Sequence, residues 1–162
     1  MPPKLSVSNV NSLQEDEFEE AFCNVIELCP DAAKRVKRLR PFKGTSEISA
    51  AFCQYLEGIN AEDLAGRLAA RGQLTKESTD EQRSAGLHEL TAADNKLMDE
   101  SNQRYKEKFG FPFIICAREN KVESIIAGLQ ARYHNTYEQE IKTGIEEVKK
   151  ICTLRINDIM SD

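Results

Sequence analysis

Tryptophan is absent from this chain and histidine nearly so: 162 residues carry no Trp, two His, five Pro and eight Gly. His88 and His134 stand alone, and no CxxC or HExxH spacing occurs, so no metal site is expected. Long apolar runs are missing too. Charged residues (30%) are interspersed among the 40% that are apolar, which argues for a folded soluble chain over either disorder or a membrane partner. Nor is there a surplus of positive charge. Lys plus Arg number 22 against 27 Asp plus Glu, a net charge of -5, so nucleic acid is not the expected partner, although a local basic pocket is compatible with this balance. The five cysteines (Cys23, Cys29, Cys53, Cys116, Cys152) are odd in number and widely spaced, and no apolar leader precedes them. They point to a reducing intracellular compartment, with each cysteine a small buried hydrophobe among apolar neighbours.

What the chain does have is helical periodicity. Its length suits one domain, burying roughly 70% of the unfolded surface. Residues 1–10, with two prolines and no period, are expected to be a flexible N-terminal arm, and residues 11–162 a helical domain. Ser12-Leu13-Gln14-Glu15 has the pattern of a capping box, and Phe18, Phe22, Val25, Ile26 and Cys29 recur at helical spacing up to Pro30. A short basic helix over Asp31–Leu39 stops at Arg40-Pro41-Phe42. Thr45 or Ser46 caps a helix carrying Ile48, Phe52 and Leu56 that closes at Gly58, and a shorter one over 63–71 ends at Gly72. Thr91 opens a long helix terminated by Gly110, and two more follow over Lys121–Tyr133 and Thr136–Met160. Only Phe109–Ala117 (FGFPFIICA) is apolar without a helical period, and a lone strand has no partners. It is an extended buried connector, or the start of a helix with Pro112 in the first turn. The expected fold is all-α, a single-domain bundle of seven to eight helices.

Three stretches are unusual for pure scaffold. In Ser78-Thr79-Asp80-Glu81-Gln82, Ser78, Glu81 and Gln82 share a helix face, giving a hydroxyl, a carboxylate and an amide suited to a urea-like or carboxamide ligand. Ser78 as cap with Glu81 closing a capping box is the plain alternative. The second, Phe109–Arg118, is non-helical backbone whose N–H and C=O groups need partners, from a polar ligand or from neighbouring helices. The third is Arg155, between Leu154 and Ile156 on the apolar side of the last helix; it wants an anion, either a substrate carboxylate or an internal Glu81 or Glu147. A face such as Glu146-Glu147-Lys149-Lys150 reads as solvated surface.

Together these stretches resemble the 2-oxo-4-hydroxy-4-carboxy-5-ureidoimidazoline (OHCU) decarboxylase family over nearly the whole chain. The resemblance rests on Arg40-Pro41-Phe42, on Asp63-Leu64-Ala65-Gly66-Arg67, on Leu74-Thr75 through Glu77-Ser78 to Glu81-Gln82 with Ala85-Gly86-Leu87, on the run Phe109 to Arg118, and on Glu146–Ile151 with Leu154-Arg155. It implies an all-α fold, often a homodimer, and cofactor-independent decarboxylation of a small ureidoimidazoline to (S)-allantoin in the urate-degrading branch of purine catabolism. It also implies that Ser78, Thr79, Asp80, Glu81 and Gln82 contact the ring and ureido groups, that Phe113, Ile114, Ile115, Cys116 and Ala117 line the site, and that Arg155 faces the carboxylate. Glu81 is further implied as a catalytic group.

One position departs from the family pattern. The resemblance implies a His-Pro pair before Asp63, the histidine being the acid/base, whereas Ala61-Glu62 stand here and the segment from Phe52 to Asp63 is shorter by several residues. Glu62 is the substitute acid this leaves, its carboxyl tuned upward by burial. The second function is a splice form or paralogue acting as a non-catalytic ligand-binding helical module. Ile159-Met160-Ser161-Asp162 is not an SKL-type address, which leaves peroxisome and cytoplasm both open.

Overall fold

The computed structural model describes residues 3–26, 29–59, 81–82, 85–111 and 113–161. The fold is all-α. Seven α-helices lie among the described residues: α1 (Val7–Ser12), α2 (Glu15–Ala21), α3 (Pro30–Val36), α4 (Thr45–Gly58), α5 (Ala92–Phe109), α6 (Val122–Arg132) and α7 (Tyr137–Ile159). The chain forms two compact units, Met1–Ile59 with Val148–Asp162, and Asn60–Glu147. No helix among the described residues is long and apolar enough to cross a membrane.

In the first unit the N-terminal segment is not a loose arm from Pro3 onward. Ser6 caps α1 reciprocally: its hydroxyl accepts the Asn9 N–H and its own N–H donates to Asn9 Oδ1, each at 3.0 Å. Val10 is fully buried. Leu5 is tied to the distant tail, donating to the Ile159 carbonyl (2.9 Å) and accepting from the Ser161 N–H (2.8 Å). Neither signal is visible to local periodicity, because the box uses Asn in place of Glu or Gln and the partner lies at the other end of the chain.

Helix α2 begins two residues later than expected, with Glu17 Oε1 accepting the Gln14 N–H (2.9 Å). It ends at Ala21; Val25 and Ile26 stay buried outside helical geometry, and Pro30 starts α3 at its first position. The Arg40-Pro41-Phe42 motif is a clamp. The Arg40 guanidinium donates to the carbonyls of Val10 (3.0 Å) and Leu13 (2.6 Å), which lie in α1's last turn and just beyond it, and sits 5.1 Å from the Phe18 ring centre. The Asn11 side chain donates to the Phe42 carbonyl and accepts its N–H, both at 2.8 Å. Gly44, the residue before the expected caps, is the N-cap of α4, whose Ile48, Ala51, Phe52 and Leu56 are buried. Phe22 meets Phe18 and Phe52 at ring separations of 4.8 and 5.9 Å. Of the five cysteines, Cys29, Cys116 and Cys152 are buried, but Cys53 is partly accessible and Cys23 is exposed, contrary to expectation. Cys23 follows α2's last turn, where the periodic pattern no longer describes the backbone.

In the second unit Thr91 caps α5 through the Asp94 N–H (3.1 Å), and Gly110, at φ +79°, closes it by donating to the Lys106 carbonyl (2.8 Å). Thr136 caps α7, exchanging hydrogen bonds with Gln139. Lys108 caps the end of α6 from outside, donating to the carbonyls of Tyr133 and Asn135.

Candidate functional site

After α5 the chain neither starts a helix at once nor joins a sheet. Residues 113–116 are irregular, with Cys116 in the extended region, and a single 3-10 turn follows at Ala117–Glu119. Along this strip Ile114 and Cys116 are buried while Phe113 and Ile115 are partly exposed, the alternation of an extended chain. The Ile114 carbonyl and both backbone groups of Cys116 have protein partners. Arg132 Nη1 donates to the Ile114 carbonyl (2.7 Å), Glu147 Oε1 accepts the Cys116 N–H (3.2 Å), and Asn120 Nδ2 donates to the Cys116 carbonyl (2.9 Å). In extended chain the N–H and C=O of one residue share an edge and those of the next use the other. Residue 116 therefore spends both backbone groups, and residue 114 its carbonyl, on protein partners. Among the described residues, Ile115 has no such partner for its N–H or C=O, which leaves a donor–acceptor pair for a ligand. The buried-connector expectation holds for one edge only.

Glu81 is buried, and Arg118, at the end of the strip, donates to its Oε2 through Nε (3.2 Å) and Nη2 (3.1 Å). Gln82, on the next position of the same helical turn, is partly accessible. The strip and Glu81 thus belong to one neighbourhood in the second unit. Glu147 is buried, so the solvated-face reading fails for it, because one carboxylate oxygen serves the Cys116 amide. Burial, with the charges of Glu119 and Glu147 adding to it, pushes the Cys116 thiol above its usual range, which disfavours the thiolate.

Arg155 is only 4% exposed, as its place between Leu154 and Ile156 suggested; it belongs to the first unit and donates to the Asn24 carbonyl (2.9 Å). Glu62, Ser78, Thr79 and Asp80, and with them the position of the His-Pro departure, lie outside the described residues. No group of acidic, cysteine and histidine side chains able to hold a metal occurs among the described residues.

Sequence reasoning missed a second set. Glu140 is fully buried, and its carboxylate accepts from Tyr105 Oη (2.5 Å), Arg132 Nε (2.8 Å) and Asn135 Nδ2 (2.8 Å). The Arg132 guanidinium also lies over the Phe113 ring at 4.4 Å. Burial and the Glu140 hydrogen bond push the Tyr105 hydroxyl far above its ordinary range and keep it a neutral donor. The available signal was Glu140 preceding Ile141, Gly144 and Ile145 on the apolar stripe of α7, a carboxylate where a hydrophobe is expected.

The family model described as OHCU decarboxylase matches residues 11–157. The chain belongs to the OHCU decarboxylase family. Among curated members, the 2-oxo-4-hydroxy-4-carboxy-5-ureidoimidazoline decarboxylase of Amia calva is 43% identical over 166 residues, covering 96% of this chain and 95% of the relative. That of Xenopus laevis is 36% identical, covering 96% and 94%. A crystal structure of OHCU decarboxylase in the presence of (S)-allantoin superposes with a TM-score of 0.71 at 27% identity, over 92% of this chain and all of that one (100%). The fold is shared as well with a crystal structure of (S)-allantoin synthase, TM-score 0.82 at 22% identity; this chain is matched over 98% of its length and spans 54% of that one.

Proposed function

We propose that this chain is a carboxy-lyase that converts OHCU to (S)-allantoin without a cofactor. The observation that carries this reading is similarity at 43% identity running through 95% of a relative that bears the decarboxylase name, so the likeness is not confined to a shared core. Loss of CO2 leaves an electron pair on the ring carbon as an enolate-like carbanion, which needs nearby donors and one proton delivered to one face. A chiral pocket that protonates a single face fixes the S configuration.

Each candidate residue has a part in this reaction. Glu81, held by Arg118, is a fixed acceptor for ureido or ring N–H groups and the carboxylate nearest the chemistry. Ser78, Thr79, Asp80 and Gln82 have the part the resemblance implies, polar contacts to the ring and ureido groups. The free edge of Ile115 takes a ureido N–H and C=O, while Phe113, Ile114, Cys116 and Ala117 form the apolar wall. Arg155, in the first unit, has only the role the resemblance implies, a cation for the substrate carboxylate. Glu62, standing where the family pattern has His-Pro, is the proton donor in this chain. The homodimer common in the family is part of the same reading.

The test is turnover of freshly generated OHCU by the intact chain, Glu62→Gln and Glu81→Gln. A general acid/base contributes about 10²- to 10⁴-fold, so each variant should lose that much. A wild type no faster than the spontaneous reaction, yet still binding (S)-allantoin, would instead identify a non-catalytic binding module.

A further inference from the structure

Given the ligand-facing role of residues 113–117, we propose that Arg132 and Glu140 are positioning residues that set which edge of this strip is offered to the substrate. Glu140 sits among three donors with no exposure to water, and its carboxylate fixes the Arg132 guanidinium through Nε at 2.8 Å. From there Nη1 reaches the Ile114 carbonyl at 2.7 Å, and the guanidinium covers the Phe113 ring. The planar fork allows one guanidinium to serve a carboxylate and a carbonyl in fixed directions, which a lysine cannot do.

Stability alone is a poor reason for this arrangement. A buried ion pair repays little more than its desolvation. What the arrangement secures is the direction of one peptide. With the Ile114 C=O drawn to Arg132, the Ile115 N–H of the same trans peptide points the opposite way; the Ile115 C=O belongs to the next peptide, whose Cys116 N–H Glu147 holds, and the two Ile115 groups together complement the N–H and C=O of a ureido group. Helix α6 keeps the strip in place at close range: a Cβ at Gly128 would lie 3.6 Å from Ile115 Cδ1 and 3.8 Å from Phe113 Cζ.

A ureido contact of this kind is made in the bound substrate and in the transition state alike, so loosening it raises KM more than it lowers kcat. A purely structural lesion does the reverse: it removes active molecules and lowers Vmax at unchanged KM. The experiment measures KM and kcat for OHCU, the Kd for (S)-allantoin, and thermal melting in the intact chain, Arg132→Lys and Tyr105→Phe. Arg132→Lys should raise KM and Kd about tenfold, the loss of one directed charge-assisted hydrogen bond, with kcat changing less. Tyr105→Phe removes one donor from Glu140 and leaves Arg132 in place; it should raise KM about threefold, and it decides the matter should Arg132→Lys fail to fold. An active wild type beside variants with unchanged KM and reduced Vmax overturns the positioning role while leaving the proposed function standing. A wild type that neither turns over OHCU nor binds (S)-allantoin overturns both.

Discussion

Arg118 holds a single oxygen of Glu81 with two of its nitrogens, Nε at 3.2 Å and Nη2 at 3.1 Å. Because Arg118 ends the 113–117 strip, the same contact fixes the carboxylate relative to that strip. Arg118→Met should therefore lower kcat/KM for OHCU by about 10²-fold, the cost of a reacting group misplaced by an ångström or so. Arg118→Lys, which keeps the charge but loses the double grip, should fall between. Steady-state kinetics on folded protein checks this, and an Arg118→Met variant with wild-type kcat/KM would show that Glu81 is placed by other groups.

Arg40 should matter to stability and not to chemistry. Arg40→Ala removes two hydrogen bonds to the carbonyls of Val10 and Leu13 and a stacking partner from Phe18. The expected loss is about 2–4 kcal/mol in urea unfolding, with KM for OHCU in the folded fraction unchanged. A shift in KM would mean that Arg-Pro-Phe also touches the ligand.

Gly128 offers a stabilising change. An alanine Cβ there would meet Ile115 and Phe113 at ordinary contact distance, so Gly128→Ala should gain about 0.5–1 kcal/mol from reduced chain entropy in a helix interior. A higher melting temperature is expected; a lower one would mean that the added methyl group disturbs the packing of the strip on α6.

Alkaline pH should weaken the first unit. Burial pushes the Cys152 thiol from its usual 9.0 up to about 12, so the folded chain holds that proton more tightly than the unfolded one. The corresponding stability is complete below pH 9.0 and is lost as pH rises toward about 12. Cys152→Ala should flatten the fall in urea midpoint between those limits. The same burial predicts that a thiol reagent at neutral pH modifies exposed Cys23 first and Cys152 only on unfolding.

The parts of the fold legible in the sequence were those written locally. Thr91 and Gly110 bracket α5, and Gly58 closes α4, because caps and terminators act within one turn. What escaped depends on distance along the chain. Leu5 meets Ile159 and Ser161, and Arg40 reaches back to Val10 and Leu13, so an apparent loose arm and an apparent helix stop are both anchored from elsewhere. The site divides the same way. The apolar strip stood out because it breaks helical period, but Arg132, Glu140 and Glu147 were hidden in ordinary charged helix sequence. Only the contacts of α6 and α7 show that Arg132 and Glu147 serve backbone groups of the strip and that Glu140 holds Arg132.

The stereochemistry of the product tests the central claim most directly. OHCU generated in place and followed by circular dichroism should yield (S)-allantoin alone, faster than the spontaneous reaction and in proportion to the amount of this chain added. Racemic allantoin appearing at the spontaneous rate, whatever the protein concentration, would contradict it.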